Sequence, residues 1–171
     1  ILIFLLAATF FSFPLKAEDS IRLIPQPAEI RIQSGTLPMS GSIDISYSPI
    51  LNKEATLLSK YLQESELTTE LHPGKPGAMI QLQISPTVLP AYKEGYVLQI
   101  SDRNIQIKSS SSTGIFYGIQ TLRQLIGKYP NRQLPQLTIT DYPNFSWRAF
   151  MLDEARYFKG KEVVCRLLDQ M

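Results

Sequence analysis

The feature that most constrains the fold of this chain is a change in the spacing of its apolar residues. Several short segments alternate apolar and polar residues, which is typical of strands with one buried face. Two longer segments place apolar residues three and four positions apart, which is typical of helices with one buried face. The order along the chain is strands, helix, strands, helix and a short final strand. This order predicts a small α+β domain whose helices pack on one face of a sheet.

The predicted elements end at residues that favour turns or helix ends. Asn52 is expected to cap a helix over residues 53–63, and Ser112 or Thr113 to cap a second helix that stops at Gly127. The predicted strands cover residues 28–33, 42–47, 79–84, 95–100, 105–108 and 137–140. Together these elements form a domain of residues 18–142.

Residues 143–171 have a different character. Residues 147–153 form a dense apolar run, as expected of a strand buried on both faces of a parallel sheet. Residues 161–171 return to helical spacing and carry no stop signal. Strand, loop and helix make the first unit of a repeating β/α fold, which cannot close a sheet alone. We therefore expect residues 143–171 to belong to a further, incomplete domain.

The N-terminal segment is predicted to be a signal peptide. Residues 1–13 are an almost unbroken apolar run, too short to span a bilayer but suited to the centre of a secretory signal. Ala17 is a plausible last residue before cleavage. We interpret residues 1–17 as a truncated signal peptide and expect export to the periplasm or the extracellular space. The alternative, a buried helix, is disfavoured because no polar face recurs at helical spacing.

Composition excludes several classes of protein. The 17 Lys and Arg residues against 15 Asp and Glu give a net charge of +2, which does not indicate a nucleic-acid partner. A single cysteine, Cys165, excludes an intrachain disulfide, and a single histidine, His72, excludes zinc sites built on paired histidines. We expect no metal, no cofactor and no membrane span once the signal is removed. The oligomeric state is left open.

Two motifs give a specific resemblance. Residues 113–125 read TGIFYGIQTLRQL, and residues 139–158 read ITDYPNFSWRAFMLDEARYF. In this order they resemble segments of the family 20 glycoside hydrolases, the β-N-acetylhexosaminidases, and the resemblance extends over residues 21–171. It implies that the first motif closes a non-catalytic N-terminal domain. The second would open a catalytic (β/α)8 TIM barrel, of which residues 143–171 would supply the first strand and helix.

The resemblance also implies a reaction. Family 20 enzymes remove terminal N-acetylglucosamine or N-acetylgalactosamine from glycans with retention, and the acetamido carbonyl of the substrate is the nucleophile. An Asp orients the amide and the adjacent Glu protonates the leaving oxygen. That pair follows the fourth barrel strand, beyond residue 171, so we expect no catalytic residue here and an inactive chain. The alternative is a truncated non-catalytic module that binds carbohydrate or has a structural role.

Arg148 is the one substrate-binding candidate. It matches the family's arginine that hydrogen-bonds the sugar hydroxyls, and the guanidinium suits this role because its fixed donors can hold two vicinal oxygens. The alternative is a structural arginine paired with a nearby carboxylate. The acidic pair Asp153–Glu154 is not assigned to catalysis, because neighbours on a strand point to opposite faces. Asp153 is expected to support the site through hydrogen bonds, and Glu154 to be solvated.

Other chemically notable residues are predicted to be structural. Arg156 is expected to be an ion-pair partner, Cys165 a packed thiol and His72 an exposed turn residue. A group of aromatic residues is expected to pack in the core rather than to stack on sugars: Tyr92, Tyr96, Phe116 and Tyr117.

Overall fold

A computed structural model describes residues 21–153 and 155–170. The predicted signal peptide and Glu154 lie outside the described residues. The strands are β1 (Glu29–Pro38), β2 (Ser42–Tyr47), β3 (Thr68–Pro73), β4 (Ile80–Ile84), β5 (Tyr96–Ile100), β6 (Ile105–Ser109) and β7 (Gln133–Asp141). The helices are α1 (Asn52–Glu64), α2 (Ser112–Lys128) and α3 (Lys161–Gln170).

The strands form one mixed seven-stranded sheet in the order β1-β7-β5-β6-β4-β2-β3. β2, β3, β4 and β6 are mutually parallel, whereas β5 pairs antiparallel with β6 and β7, and β7 with β1. α1 and α2 contact each other and the sheet, so they cover the same face. Alternate residues of the inner strands, such as Ile45, Ile80 and Ile105, are buried beneath these helices and lie in register across the sheet. The predicted α+β class is confirmed.

The sequence pattern misses one strand and shortens two others. β3 has no apolar alternation to reveal it, because its sequence is TTELHP and it lies at the sheet edge. β1 and β7 extend past the predicted bounds because they pair along most of their length, across a register shift between Ile32 and Thr36. Pairing between distant segments therefore decides where these strands end.

The helix ends also differ from those predicted. Asn52 does not cap α1; it is the first residue of the helix, and its Oδ1 accepts a hydrogen bond of 3.1 Å from the Tyr47 hydroxyl. Ser111, rather than Ser112 or Thr113, caps α2 by accepting from the Gly114 amide. Among the described residues no helix has the length and hydrophobicity needed to cross a bilayer.

The strand predicted at residues 147–153 does not form in this structure. The segment forms no regular element, and Trp147 and Met151 are 82% and 91% exposed. A strand needs a neighbour for its backbone N–H and C=O groups, and no strand of the described chain pairs with this segment. α3 forms as predicted, because a helix makes its hydrogen bonds within itself.

Candidate functional site

A groove of about 610 Å³ lies where the chain before β1, helix α2 and the chain after β7 meet. Its walls combine aromatic rings with polar side chains, among them Phe116, Tyr117, Gln120, Gln124, Glu94, Tyr142 and Arg148. A concave surface that mixes apolar area with a few polar groups is the usual setting of a ligand site. The groove thus brings Arg148 together with residues of the α+β domain.

Arg148 is held by three partners. It forms an ion pair with Glu94, donates to the Phe145 carbonyl at 2.7 Å and donates to the Tyr117 hydroxyl at 3.4 Å. The hydrogen bonds with Glu94 and Tyr117 raise the pKa of Arg148 above its ordinary value, so the guanidinium stays charged. The structure therefore contains the carboxylate partner of the structural alternative. Sugar binding by Arg148 stays a prediction.

Asp141, at the end of β7, anchors one side of the groove. Its Oδ1 accepts from the backbone amides of Ala28 and Tyr142 at 3.1 Å and 2.9 Å, and its Oδ2 accepts from the Tyr96 hydroxyl at 3.3 Å. Burial raises the pKa of Tyr96, and its hydroxyl also contacts Thr121. Both oxygens of the Asp141 carboxylate thus accept hydrogen bonds that connect the chain before β1, the chain after β7 and strand β5.

The first motif can be explained by packing. A Cβ on Gly118 would lie 2.5 Å from a methyl group of Ile107, and a Cβ on Gly114 would collide with Ser109 and the Gly95 carbonyl. The glycines four residues apart therefore let α2 lie close against β5 and β6. Gln124, in the same motif, accepts from the Ile24 amide at 3.0 Å and donates to the Ile24 carbonyl at 2.7 Å.

The acidic end of the second motif forms a local turn. Asp153 accepts from the amides of Ala155 and Arg156 at 3.0 Å and 3.3 Å, and its other oxygen lies 3.4 Å from Arg156 Nε. The expected ion-pair role of Arg156 is confirmed, although the pair is exposed. Asp153 uses its hydrogen bonds within its own loop rather than at the groove.

Two predictions about single residues are wrong. Cys165 is exposed rather than packed, because α3 contacts too little of the described chain to bury that face. His72 lies in β3 and is half-buried, with Asp44 and Glu70 beside it, rather than in an exposed turn. Both errors arise from tertiary context that local pattern does not contain.

The aromatic residues are structural only in part. Tyr96 is buried as predicted. Tyr92 stacks on Tyr142 with ring centroids 4.3 Å apart, and Phe116, which contacts Tyr117 edge to face, is partly exposed in the groove. Glu94 is the residue that sequence reasoning missed, since nothing local distinguishes it from other surface carboxylates.

Known proteins resemble this chain in sequence. The family model described as glycosyl hydrolase family 20, domain 2, matches residues 20–142. The N,N'-diacetylchitobiase of Vibrio harveyi is 30% identical over 159 residues, covering 89% of this chain and 17% of that protein. A β-hexosaminidase of Porphyromonas gingivalis is 31% identical over 166 residues, covering 90% of this chain and 21% of that protein. The chain thus spans about a fifth of the length of these two relatives.

Solved structures agree with the sequence comparison. The β-N-acetylhexosaminidase of Bacteroides fragilis matches with a TM-score of 0.73 at 25% identity, covering 86% of this chain and 30% of that one. The exo-β-N-acetylglucosaminidase of Vibrio harveyi in complex with N-acetylglucosamine matches with a TM-score of 0.70 at 25% identity, covering 86% and 23%. Because a family model matches most of the chain and the fold is shared, the chain belongs to glycoside hydrolase family 20.

Proposed function

We propose that this chain is the N-terminal part of an exported exo-β-N-acetylhexosaminidase. The complete enzyme would remove terminal N-acetylglucosamine or N-acetylgalactosamine from glycans by substrate-assisted, retaining catalysis. The match of residues 20–142 to a family 20 domain carries the proposal, and relatives named β-hexosaminidase and chitobiase support it. Residues 18–142 would form the non-catalytic domain, and residues 143–171 the first strand and helix of the barrel.

We propose further that this chain alone is inactive. Substrate-assisted catalysis requires one carboxylate on the acetamido group and a carboxylic acid at the leaving oxygen. Three carboxylates line the groove: Asp169 belongs to α3, Glu94 is paired with Arg148, and Asp141 is engaged by two amides and a hydroxyl. Asp153 is bound within its own loop. Glu94, Asp141 and Asp153 are thus occupied by structural roles, which supports the expectation that the reacting pair comes from elsewhere.

In the complete enzyme Arg148 would bind sugar hydroxyls. A guanidinium has five N–H donors, and three of them are directed at Glu94, Tyr117 and the Phe145 carbonyl. The remaining donors suit hydroxyl oxygens, while Glu94 and Tyr117 would fix the plane of the group. Arg148→Lys should lower kcat/KM about tenfold to a hundredfold, since charge-assisted hydrogen bonds contribute about 1.5–3 kcal/mol. Unchanged kcat/KM would remove Arg148 from the substrate site.

Export is proposed on the N-terminal sequence alone. The apolar run of residues 1–13 and Ala17 have the composition of a secretory signal. Fusing residues 1–25 to a reporter enzyme that is active only outside the cytoplasm tests this. Reporter activity together with N-terminal cleavage would support export, whereas an uncleaved, inactive fusion would contradict it.

A second candidate is a non-catalytic carbohydrate-binding module. The observation in its favour is the groove, where the rings of Phe116 and Tyr117 lie beside the amide of Gln120. Such groups can stack on a sugar and hydrogen-bond its hydroxyls. The two candidates differ in whether hydrolysis occurs at all.

The decisive experiment compares this chain with the complete product of its reading frame. Both proteins are assayed with a chromogenic N-acetyl-β-glucosaminide, with and without a hexosaminidase inhibitor. We expect inhibitor-sensitive hydrolysis by the complete product and none above background by residues 18–171. Glycan binding by a complete product that hydrolyses nothing would favour the binding module.

A further inference from the structure

Three side chains that can bind metal ions converge at one edge of the sheet. Asp44 lies on β2, and Glu70 and His72 lie on the neighbouring edge strand β3. The register pairs Asp44 with Glu70, and His72 is two residues further along β3, so all three share one face. This is the face opposite α1, because Ile43 and Ile45 alternate with Asp44 and are buried on the helix side.

The distances between the three groups match a coordination sphere. His72 Nε2 is 3.3 Å from Asp44 Oδ1 and 3.4 Å from Glu70 Oε2, and ligand atoms of the three residues all lie within 4.8 Å of one another. Two ligands bound tetrahedrally to Zn²⁺ at about 2.0–2.2 Å are themselves about 3.3–3.6 Å apart. One ion can therefore contact all three side chains with small adjustments.

The three groups face one another without a bridging hydrogen bond. His72 Nε2 is shielded from solvent and makes no hydrogen bond, although two carboxylate oxygens face it. In the tautomer that leaves Nε2 without a proton, its lone pair faces these oxygens, and a metal ion between them would bind all three groups.

The second oxygen of each carboxylate is already held by a neighbour. Lys75 Nζ lies 2.9 Å from Asp44 Oδ2, and the Ser42 hydroxyl donates to Glu70 Oε1 at 3.3 Å. Partners of this kind orient metal ligands, and here they leave one oxygen of each group turned toward His72.

We propose that Asp44, Glu70 and His72 form a binding site for a divalent transition-metal ion of the zinc class. One imidazole and two carboxylates are common Zn²⁺ ligands, with water completing the tetrahedron. Ca²⁺ and Mg²⁺ do not suit the site, because they take oxygen ligands. The ion would join β3 to β2 and stabilise the exposed edge of the sheet, where unpaired backbone groups otherwise invite pairing with another chain.

The test titrates metal into the full chain. The protein carries Cys165→Ser, so that the exposed thiol does not bind metal, and no polyhistidine tag. After chelation, Zn²⁺ is titrated by calorimetry and Co²⁺ by its visible absorption. We expect about one ion per chain and a tetrahedral Co²⁺ spectrum. Excess Ca²⁺ should not compete; equal competition by Ca²⁺ would overturn the proposal.

Matched variants assign the binding to these residues. His72→Gln and Glu70→Gln should each weaken Zn²⁺ binding at least about tenfold, while circular dichroism verifies that each variant is folded. Asp102→Asn, in the exposed pair with Arg103, should change nothing. Equal Zn²⁺ affinity in His72→Gln and Asp102→Asn, or no saturable binding by the parent chain, would overturn the proposal.

Discussion

The domain of residues 21–142 and the segment of residues 143–170 carry apolar side chains of the same kinds but bury them to opposite extents. In the domain, Leu58 and Ile107 are fully buried, whereas Trp147 and Met151 in the segment are largely exposed. The sheet of the domain packs against two helices, whereas no described residue of the segment pairs with a strand. Apolar sequence creates a strand only where another strand can pair with it.

The largest expected difference between the two regions is in amide exchange. Amides of β5 and β6, at the centre of the sheet, should exchange only through global opening, which costs about 5 kcal/mol or more in a stable domain. Amides of residues 147–153 form no ladder and should exchange near the rate of an unfolded chain. Hydrogen exchange followed by mass spectrometry measures both in one sample. Comparable protection in the two regions would contradict the view that residues 147–153 lack stable structure.

A matched pair of leucines should separate the regions by stability. Leu58 of α1 is fully buried, and Leu168 of α3 is 62% exposed. Leu58→Ala should lower the free energy of unfolding by about 2–5 kcal/mol through lost burial and a cavity. Leu168→Ala should change it by less than about 0.5 kcal/mol. Urea unfolding of both variants provides the test, and equal losses would mean that α3 packs in solution.

A pair of glycines in α2 tests the close packing within the domain. Gly114→Ala should destabilise by about 1–3 kcal/mol, because the new methyl group meets Ser109 and the Gly95 carbonyl. Gly127→Ala has open space around it and should be neutral or stabilise by up to about 1 kcal/mol, since alanine favours helix. Thermal melting of the two variants distinguishes them. A neutral Gly114→Ala would show that α2 can move away from the sheet.

The smallest expected effect concerns one of the contacts between the two regions. Glu94→Gln removes the charge that pairs with Arg148, and exposed ion pairs contribute only about 0.2–1 kcal/mol. The urea midpoint should therefore decrease slightly, and salt should reduce the difference from the parent chain. A loss above about 2 kcal/mol would mean that this pair is worth more than exposed ion pairs usually are.

The sequence predicts what is local and fails where distant segments meet. Alternation located the strands that carry two or three buried residues, and helical spacing located all three helices. β3 was missed because its apolar content is low, and the error moved His72 from a strand to a turn. Its neighbour Asp44 is 28 residues away, so only the parallel pairing of β2 and β3 brings these groups together. One histidine excludes paired-histidine sites but not a mixed site assembled by the fold.

In the candidate site, too, the sequence predicts one residue of a contact but not its distant partner. The motif resemblance singled out Arg148, and the structure places it in the groove. Its partner Glu94 lies 54 residues earlier in the chain, in a loop with no distinctive pattern. The sequence around a carboxylate does not reveal a partner that is distant along the chain. Glu94 therefore could not be predicted as the partner of Arg148.

The bond between the Ala28 amide and Asp141 has a mechanical consequence. It ties together the points where the chain enters β1 and leaves β7, which are antiparallel neighbours that pair Glu29 with Thr140. Tension applied through the flanking chain would therefore load this bond first and then open the β1–β7 ladder one pair at a time, like a zipper. A domain attached in this way resists pulling weakly, however stable it is toward urea or heat.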